Sequence, residues 1–233
     1  MKIGFLDTYT WDYNIETPYR EPLGGTQSAI CYLAEALAAL GNQVFLLNNT
    51  SESGMWRGVD CRHRVGDKAN LELLRSLDFL VIVNIVGKAL EIKLLLGKHT
   101  KLILWIHNEP GFVFLEDFNN FQEINACDAF VFVSDWQREQ FHARFGIDLN
   151  RSYVLRNAIA PCLANLFYDN ISILSQKSHP PILAYTSTPF RGLDILLKVF
   201  PEIRQAVPGT RLKVFSSMKV HQIDDNDNNL FFR

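Results

Sequence analysis

Three short stretches carry residue types at spacings that chemistry can use. In "PLGGTQSAICYLAEALAALG", residues 22–41, Gly24 and Gly25 stand where a helical ladder of Ile30, Leu33, Leu37 and Leu40 begins, and Gly41 is placed to cap its end. Glycine at a helix start lets backbone N–H groups approach a bound group that a side chain would exclude. The pair therefore reads as an anion or sugar site, or as a plain structural turn. In "LWIHNEP", His107 directly follows a buried strand and stands at its carboxyl end, in the same crevice as the glycine pair. A lone histidine is otherwise a structural residue. In "YTSTPFRGLDILLKVF", Arg191-Gly192 opens a helix whose Leu193, Leu196, Leu197 and Phe200 form the expected buried stripe. There a cation and free N–H groups would bind a diphosphate together, or Arg191 is a solvated side chain on a first turn.

Common nucleotide and hydrolase motifs are missing. No G-x-G-x-x-G, G-x-x-x-x-G-K-[ST] or G-x-S-x-G occurs, and Gly87-Lys88 and Gly97-Lys98 have Ile82 and Ile92 where a P-loop needs glycine. What remains is a helix N-terminus reached by a long loop, residues 8–23, rich in aromatic side chains: Tyr9, Trp11, Tyr13 and Tyr19.

The elements that must position these residues alternate. "KIGFL", "QVFLL", "DFLVIV", "KLILWI", "DAFVFVS" and "YVLRN" read as short strands, several too uniformly apolar to have a wet face. Helical patterns lie between them: the ladder from Gly25, "ANLELLRSL", "LEIKLLLG", "LEDFNNFQEIN" and "SDWQREQFHARFG". The pattern predicts an α/β, Rossmann-like, doubly wound parallel sheet over residues 1–163 and a linker over 164–180. A second βα start follows over 181–233: "PILAYTS", a helix from Gly192 to about Ala206, and "RLKVFSS".

Composition narrows the class. A chain of 233 residues, 48% hydrophobic, can bury a sizeable core. Net charge of −2 argues against a nucleic-acid partner. Cys31, Cys61, Cys127 and Cys162 have no paired spacing and read as reduced, mostly buried thiols of a cytoplasmic protein. No apolar run reaches the about 18 residues of a membrane span.

Taken in order, "GGTQSAICYLAEALAALGNQVFLL", "WIHNE", "FVFVSDWQREQF", "VLRNAI" and "TSTPFRGLDILLKVFPEI" resemble the family-4 retaining glycosyltransferases with the GT-B fold. The resemblance spans essentially the whole chain. It implies two Rossmann-like domains, the N-terminal one on the acceptor side and the second binding a nucleotide sugar. By this likeness Gly24 and Gly25 lie against the donor diphosphate, Arg191 neutralises it, and His107 is the catalytic-site residue beside the transferred sugar. Thr26, Gln27 and Trp11 are acceptor-side candidates. The resemblance implies a hexose transferred with retention from a nucleotide diphosphate sugar to a carbohydrate or lipid-linked acceptor. It implies no metal and no cofactor beyond the co-substrate.

The chain departs from that pattern in two places. The family carries an arginine five residues before its diphosphate-binding lysine; here the two positions are Thr186 and Arg191. The family's E-x7-E motif has no counterpart, because Glu202 is the only glutamate beyond residue 163. The chain is accordingly expected to be a fragment with an incomplete second domain, inactive alone and prone to self-association. The alternative is a non-catalytic remnant that binds a ligand or partner. "DDNDNN" at 224–229 has calcium-loop spacing without the required glycine and glutamate, and reads as a solvated loop. "GKALEIKLLLGKHTK" reads as a sheet-covering helix with solvated lysines, or as a contact with an anionic membrane surface.

Overall fold

The computed structural model describes residues 1–64, 68–111, 117–164, 166, 172 and 177–223. The chain divides into two units, one of Met1–Glu21 with Gly25–Ile159, the other of Pro22–Gly24 with Ala160–Arg233.

The first unit is built on strands β1 (Lys2–Leu6), β2 (Gln43–Asn48), β3 (Gly54–Trp56), β4 (Val59–His63), β5 (Phe79–Val83), β6 (Lys101–Ile106), β7 (Ala129–Phe132) and β8 (Ser152–Val154). Among the described residues they form one sheet in the order β3-β4-β2-β1-β5-β6-β7-β8, parallel except for β3. The chain thus walks outward from β1 to β2 and β4, then restarts on the other side of β1 with β5. That reversal opens a crevice at the carboxyl ends of β1 and β5, the place where open α/β sheets bind ligands.

Helices α1 (Thr17–Arg20), α2 (Gly25–Ala39), α3 (Lys68–Ser76), α4 (Ala89–Leu95), α5 (Phe121–Ala126) and α6 (Asp135–Phe145) connect the strands. The largest buried cluster joins Leu80, Ile82, Leu102, Leu104, Phe130 and Phe132 of the sheet to residues of α3 through α6. Gly4 belongs to this packing: a Cβ there would fall 2.6 Å from Leu77 Cδ1. Right-handed crossovers put α2 on the opposite face.

The apolar ladder of α2 is buried only in part. Its buried residues are Gln27, Ile30, Cys31 and Ala34, while Leu40 is 78% exposed. Small side chains let the helix lie close to the sheet, and the leucine ladder runs beside that contact. Two short strands and one helix were also missing from the sequence reading. β3 and β4 form a hairpin whose turn places Arg57 and Gly58 at φ +45 and +81, the backbone of a type I′ turn. α1 is one turn with Pro18 near its start. The expected helix "LEDFNNFQEIN" shrinks to α5, capped by Asn120, and its residues 115 and 116 lie outside the described residues. Lys93 and Lys101 are not free solvated cations, since both pair with Asp128.

In the second unit, β9 (Ile182–Tyr185) and β10 (Arg211–Val214) pair in parallel, joined by α7 (Leu193–Ala206). The expected stripe on α7 is only partly covered: Leu193 is buried, Leu196 and Phe200 are half-buried, and Leu197 is exposed. Two described strands are too narrow a surface to cover a helix of this length. The expected linker falls mostly outside the described residues, as does "DDNDNN".

Candidate functional site

The exit of β1 is organised by a buried carboxylate. Asp7 is 0% exposed and accepts hydrogen bonds from the Tyr13 hydroxyl at 2.7 Å, the Gln27 side-chain amide at 3.0 Å and the Tyr9 backbone N–H at 3.0 Å. A charge in such a place is tolerable only when donors converge on it. Burial, and then the Asp7 charge, push the Tyr13 phenol well above its ordinary range, so it stays protonated and donating. The aromatic loop is therefore tied both to its own strand and to the first turn of α2. A second set of bonds ties it to the exit of β2: Asn48 donates to the Tyr13 carbonyl and Asn49 to the Thr10 carbonyl, while the Ser51 N–H donates to Asp12. Arg57, lying 3.9 Å from the Tyr19 ring centroid, bridges Glu16 and Glu35 and clamps α1 against α2.

Beside this loop lies a cleft of about 420 Å³ in the β1/β5 crevice, lined by Thr8, Tyr9, Thr10, Asn84, Ile85, Val86, Gly87, Lys88 and Asp117. Gly87 has a steric role: a Cβ there would fall 2.0 Å from Asp117 Oδ2. The Thr8 and Tyr9 hydroxyls, the Lys88 ammonium and the Asp117 carboxylate have no hydrogen-bond or ion-pair partner among the described residues. Trp11 is half-buried, its ring 5.4 Å from that of Tyr9. An aromatic pair, hydroxyls, one cation and one carboxylate are the groups that grip a polyhydroxylated ring.

His107 follows β6, and its N–H donates to Asn84 Oδ1 at 2.7 Å. The imidazole leans on Trp105 with ring centroids 4.4 Å apart. Its Nε2 is buried and finds no hydrogen-bond partner among the described residues. Burial lowers its pKa to about 4, so the ring is neutral at ordinary pH. It is suited to donate or accept one hydrogen bond, not to act as a cation.

The other expected site residues fall as follows. Gly25 is the exposed first residue of α2, and a Cβ there would meet nothing within 4 Å. Its neighbour Thr26 is half-buried, and Gln27 is buried with its amide given to Asp7. Gly24 is buried and belongs with the second unit. In that unit Arg191 is exposed after β9; its N–H donates to the Thr188 carbonyl at 3.1 Å and its charge lowers the pKa of His221, which burial lowers more. Gly192, at φ +88, caps α7 in the left-handed region that glycine adopts without strain. Thr186 is exposed. Within the first unit the structure thus brings Gln27, Tyr9, Trp11 and the cleft together around Asp7, and links His107 to the cleft through Asn84. Among the described residues no hydrogen bond joins His107 to Gly25 or Thr26.

Sequence reasoning assigned none of Asp7, Asn84, Lys88 and Asp117 to a site at the β1/β5 crevice. Only the strand-end positions of Asp7 and Asn84 gave a signal.

No protein-family model matches the sequence, and no curated protein matches it. Solved structures do share its fold. A glycosyltransferase from Rickettsia africae ESF-5 aligns over 93% of this chain and 68% of its own, with a TM-score of 0.56 at 11% identity. An alpha-glucosyltransferase in complex with UDP and a 13-mer DNA containing a central A:G mismatch aligns over 92% of this chain and 56% of its own, with a TM-score of 0.55 at 11% identity. A variant of the wall teichoic acid polymerase TagF aligns over 99% of this chain and 60% of its own, with a TM-score of 0.50 at 13% identity. At these identities the likeness shows the fold: a Rossmann-like α/β fold with a parallel-dominated sheet. Among the described residues, no helix is long and apolar enough to cross a membrane.

Proposed function

We propose that the chain is a GT-B, family-4-like hexosyltransferase module that takes a hexose from a nucleotide diphosphate sugar and passes it, with retention, to a carbohydrate or lipid-linked acceptor. The observation that carries this reading is the β1/β5 crevice. There a sugar-sized cleft with unpaired hydroxyls, Lys88 and Asp117 connects through Asn84 to a neutral imidazole whose Nε2 is unspent. The shared fold of three glycosyltransfer-related proteins adds to it, and UDP in one of them supports a nucleotide diphosphate donor.

The roles follow from chemistry. Glycosidic cleavage builds negative charge on the departing diphosphate and positive charge on the sugar ring. The resemblance assigns the phosphate charge to the backbone N–H groups of Gly24 and Gly25 at the start of α2 and to the cation of Arg191, and implies no metal. His107, neutral, positions the transferred sugar through one hydrogen bond. Trp11 and Tyr9 stack on the acceptor, with Thr26 nearby in sequence on α2 and Gln27 acting through Asp7 to fix the loop.

The domain assignment belongs to the same reading: 1–163 on the acceptor side, 181–233 the start of the donor side. A lipid-linked acceptor would bring the exposed Leu94 and Phe121 and the exposed Lys98 to a membrane surface. The exposed Ile195, Leu197 and Val199 of α7 favour self-association. Thr186, where the resembled family has a cation, favours a second reading: a ligand-binding relative that transfers nothing.

Calorimetric titration with UDP, GDP and ADP tests the donor. Binding of one of them, weakened about tenfold by Arg191→Ala, is the expected result. No binding by any of the three would contradict the donor assignment.

A further inference from the structure

His107 and Asn108 form a short strap beyond β6, outside the regular ladder of the sheet. Such a segment keeps one geometry only if its polar groups are held from outside it. On the β5 side, Asn84 is 5% exposed and sits at φ +55, a left-handed conformation that asparagine tolerates better than most residues. Its backbone N–H donates to the Trp105 carbonyl at 3.0 Å and its Oδ1 accepts the His107 N–H at 2.7 Å. One residue thereby adds a side-chain rung to the β5–β6 ladder where the backbone rungs stop. On the β7 side, Gln137 is 3% exposed in the first turn of α6, anchored by its own N–H on the Ser134 hydroxyl at 3.1 Å. Its Oε1 accepts the Val133 N–H at 2.8 Å and its Nε2 donates to the Asn108 carbonyl at 2.7 Å.

Both amides are thus spent on consecutive residues of the strap, one from the residue that follows β5 and one from the helix that follows β7, the two strands that flank β6. Neither is needed there for burial alone, since an apolar side chain fills a buried site at less cost than an amide. We propose that Asn84 and Gln137 are positioning residues that grip the His107–Asn108 strap from both sides and fix the point at which His107 presents its Nε2. Among the described residues His107 Nε2 has no hydrogen-bond partner to hold the ring, so its orientation depends on the strap's backbone together with the packing on Trp105. The inference rests on the reading of His107 as the group beside the transferred sugar, but its geometry can be tested without transfer.

Asn84→Gly keeps the left-handed backbone, which glycine adopts freely, and removes only the acceptor. Gln137→Met keeps length and removes both polar contacts. In each variant the His107 ring, followed by its Hε1 resonance during a pH titration of the ligand-free protein, is expected to titrate nearer 6.5 than the wild type does, because a loosened strap lets water reach it. In the full-length protein, kcat is expected to fall about 10- to 100-fold with the donor KM changed less than about twofold. Wild-type titration in both variants overturns the proposal, whatever happens to transfer. A shifted titration in a protein that transfers no sugar supports the positioning and refutes the transferase reading. If Asn84→Gly fails to fold, Gln137→Met alone decides the outcome by the same titration.

Discussion

Each of the two units opens on a strand that leads into a helix, β1 in the first and β9 in the second, and these two exits are built differently. At the exit of β1 a fully buried Asp7 gathers Tyr13, Tyr9 and Gln27, and the long loop is bonded again to the β2 exit through Asn48, Asn49 and Ser51. At the exit of β9 the turn is short. The Thr188 carbonyl accepts the Arg191 N–H and the Tyr185 hydroxyl, Ser216 bonds the Ser187 carbonyl, and Arg191 and Thr186 are left exposed. The first start fixes a shape; the second displays a charge. Recognition of a neutral polyhydroxylated ring depends on many placed groups, each worth little, so the loop bearing them must be preorganised. Recognition of a diphosphate depends on a few strong charge-assisted bonds that a long flexible cation can find.

The comparison breaks most visibly at Asp7. Asp7→Ala leaves the Tyr13 hydroxyl and the Gln27 amide buried without their acceptor, and is expected to cost about 3 kcal/mol in urea unfolding of the first unit. Loss of less than about 1 kcal/mol would mean that the loop does not depend on this carboxylate. His107 gives the next effect, through pH. Its folded pKa, near 4, lies below the unfolded value of 6.5, so the unfolded state binds the extra proton between those values. Stability is therefore full above pH 6.5 and falls as pH drops toward 4. The loss is expected to be about 2 kcal/mol after allowance for the ring's exposed edge, and absent in His107→Gln. Urea unfolding at pH 7 and pH 4.5 reads it directly.

Gly25→Val separates a ligand role from a structural one. A side chain at this position has open space in the protein, so the melting temperature is expected to stay near wild type while nucleoside diphosphate binding weakens about tenfold or more. A collapsed melt would make Gly25 a structural turn residue. The smallest effect belongs to the β9 exit. Thr186→Arg places a cation on an exposed position and is expected to tighten nucleoside diphosphate binding about threefold, with stability changed by less than about 0.5 kcal/mol.

Much of this architecture was legible because strands buried on both faces, such as "DFLVIV" and "KLILWI", write an unbroken apolar run, and because Gly41 and Gly146 follow helices and Gly192 opens one, all at positive φ. The β3–β4 hairpin was illegible: its strands are short, sit at the sheet edge and mix Met55, Asp60 and Arg62 among apolar residues. In α2 periodicity marked the leucines and gave no sign that Cys31 and Ala34 are the residues buried beside Ile30. In the candidate site, the place of His107 directly after β6 was legible from the apolar run before it. The role of Asp7 was not legible, because a sequence does not show that a carboxylate is buried or which donors reach it. Asp117 and Gly87 meet only through the fold, 30 residues apart.

The most direct measurement is transfer itself. The full-length protein is incubated with a panel of labelled nucleotide sugars and an acceptor extract, beside His107→Ala. Transfer from one donor is expected, cut about 10²- to 10³-fold by the substitution while donor affinity changes little. No transfer from any donor, or transfer that survives the loss of His107 unchanged, would contradict it.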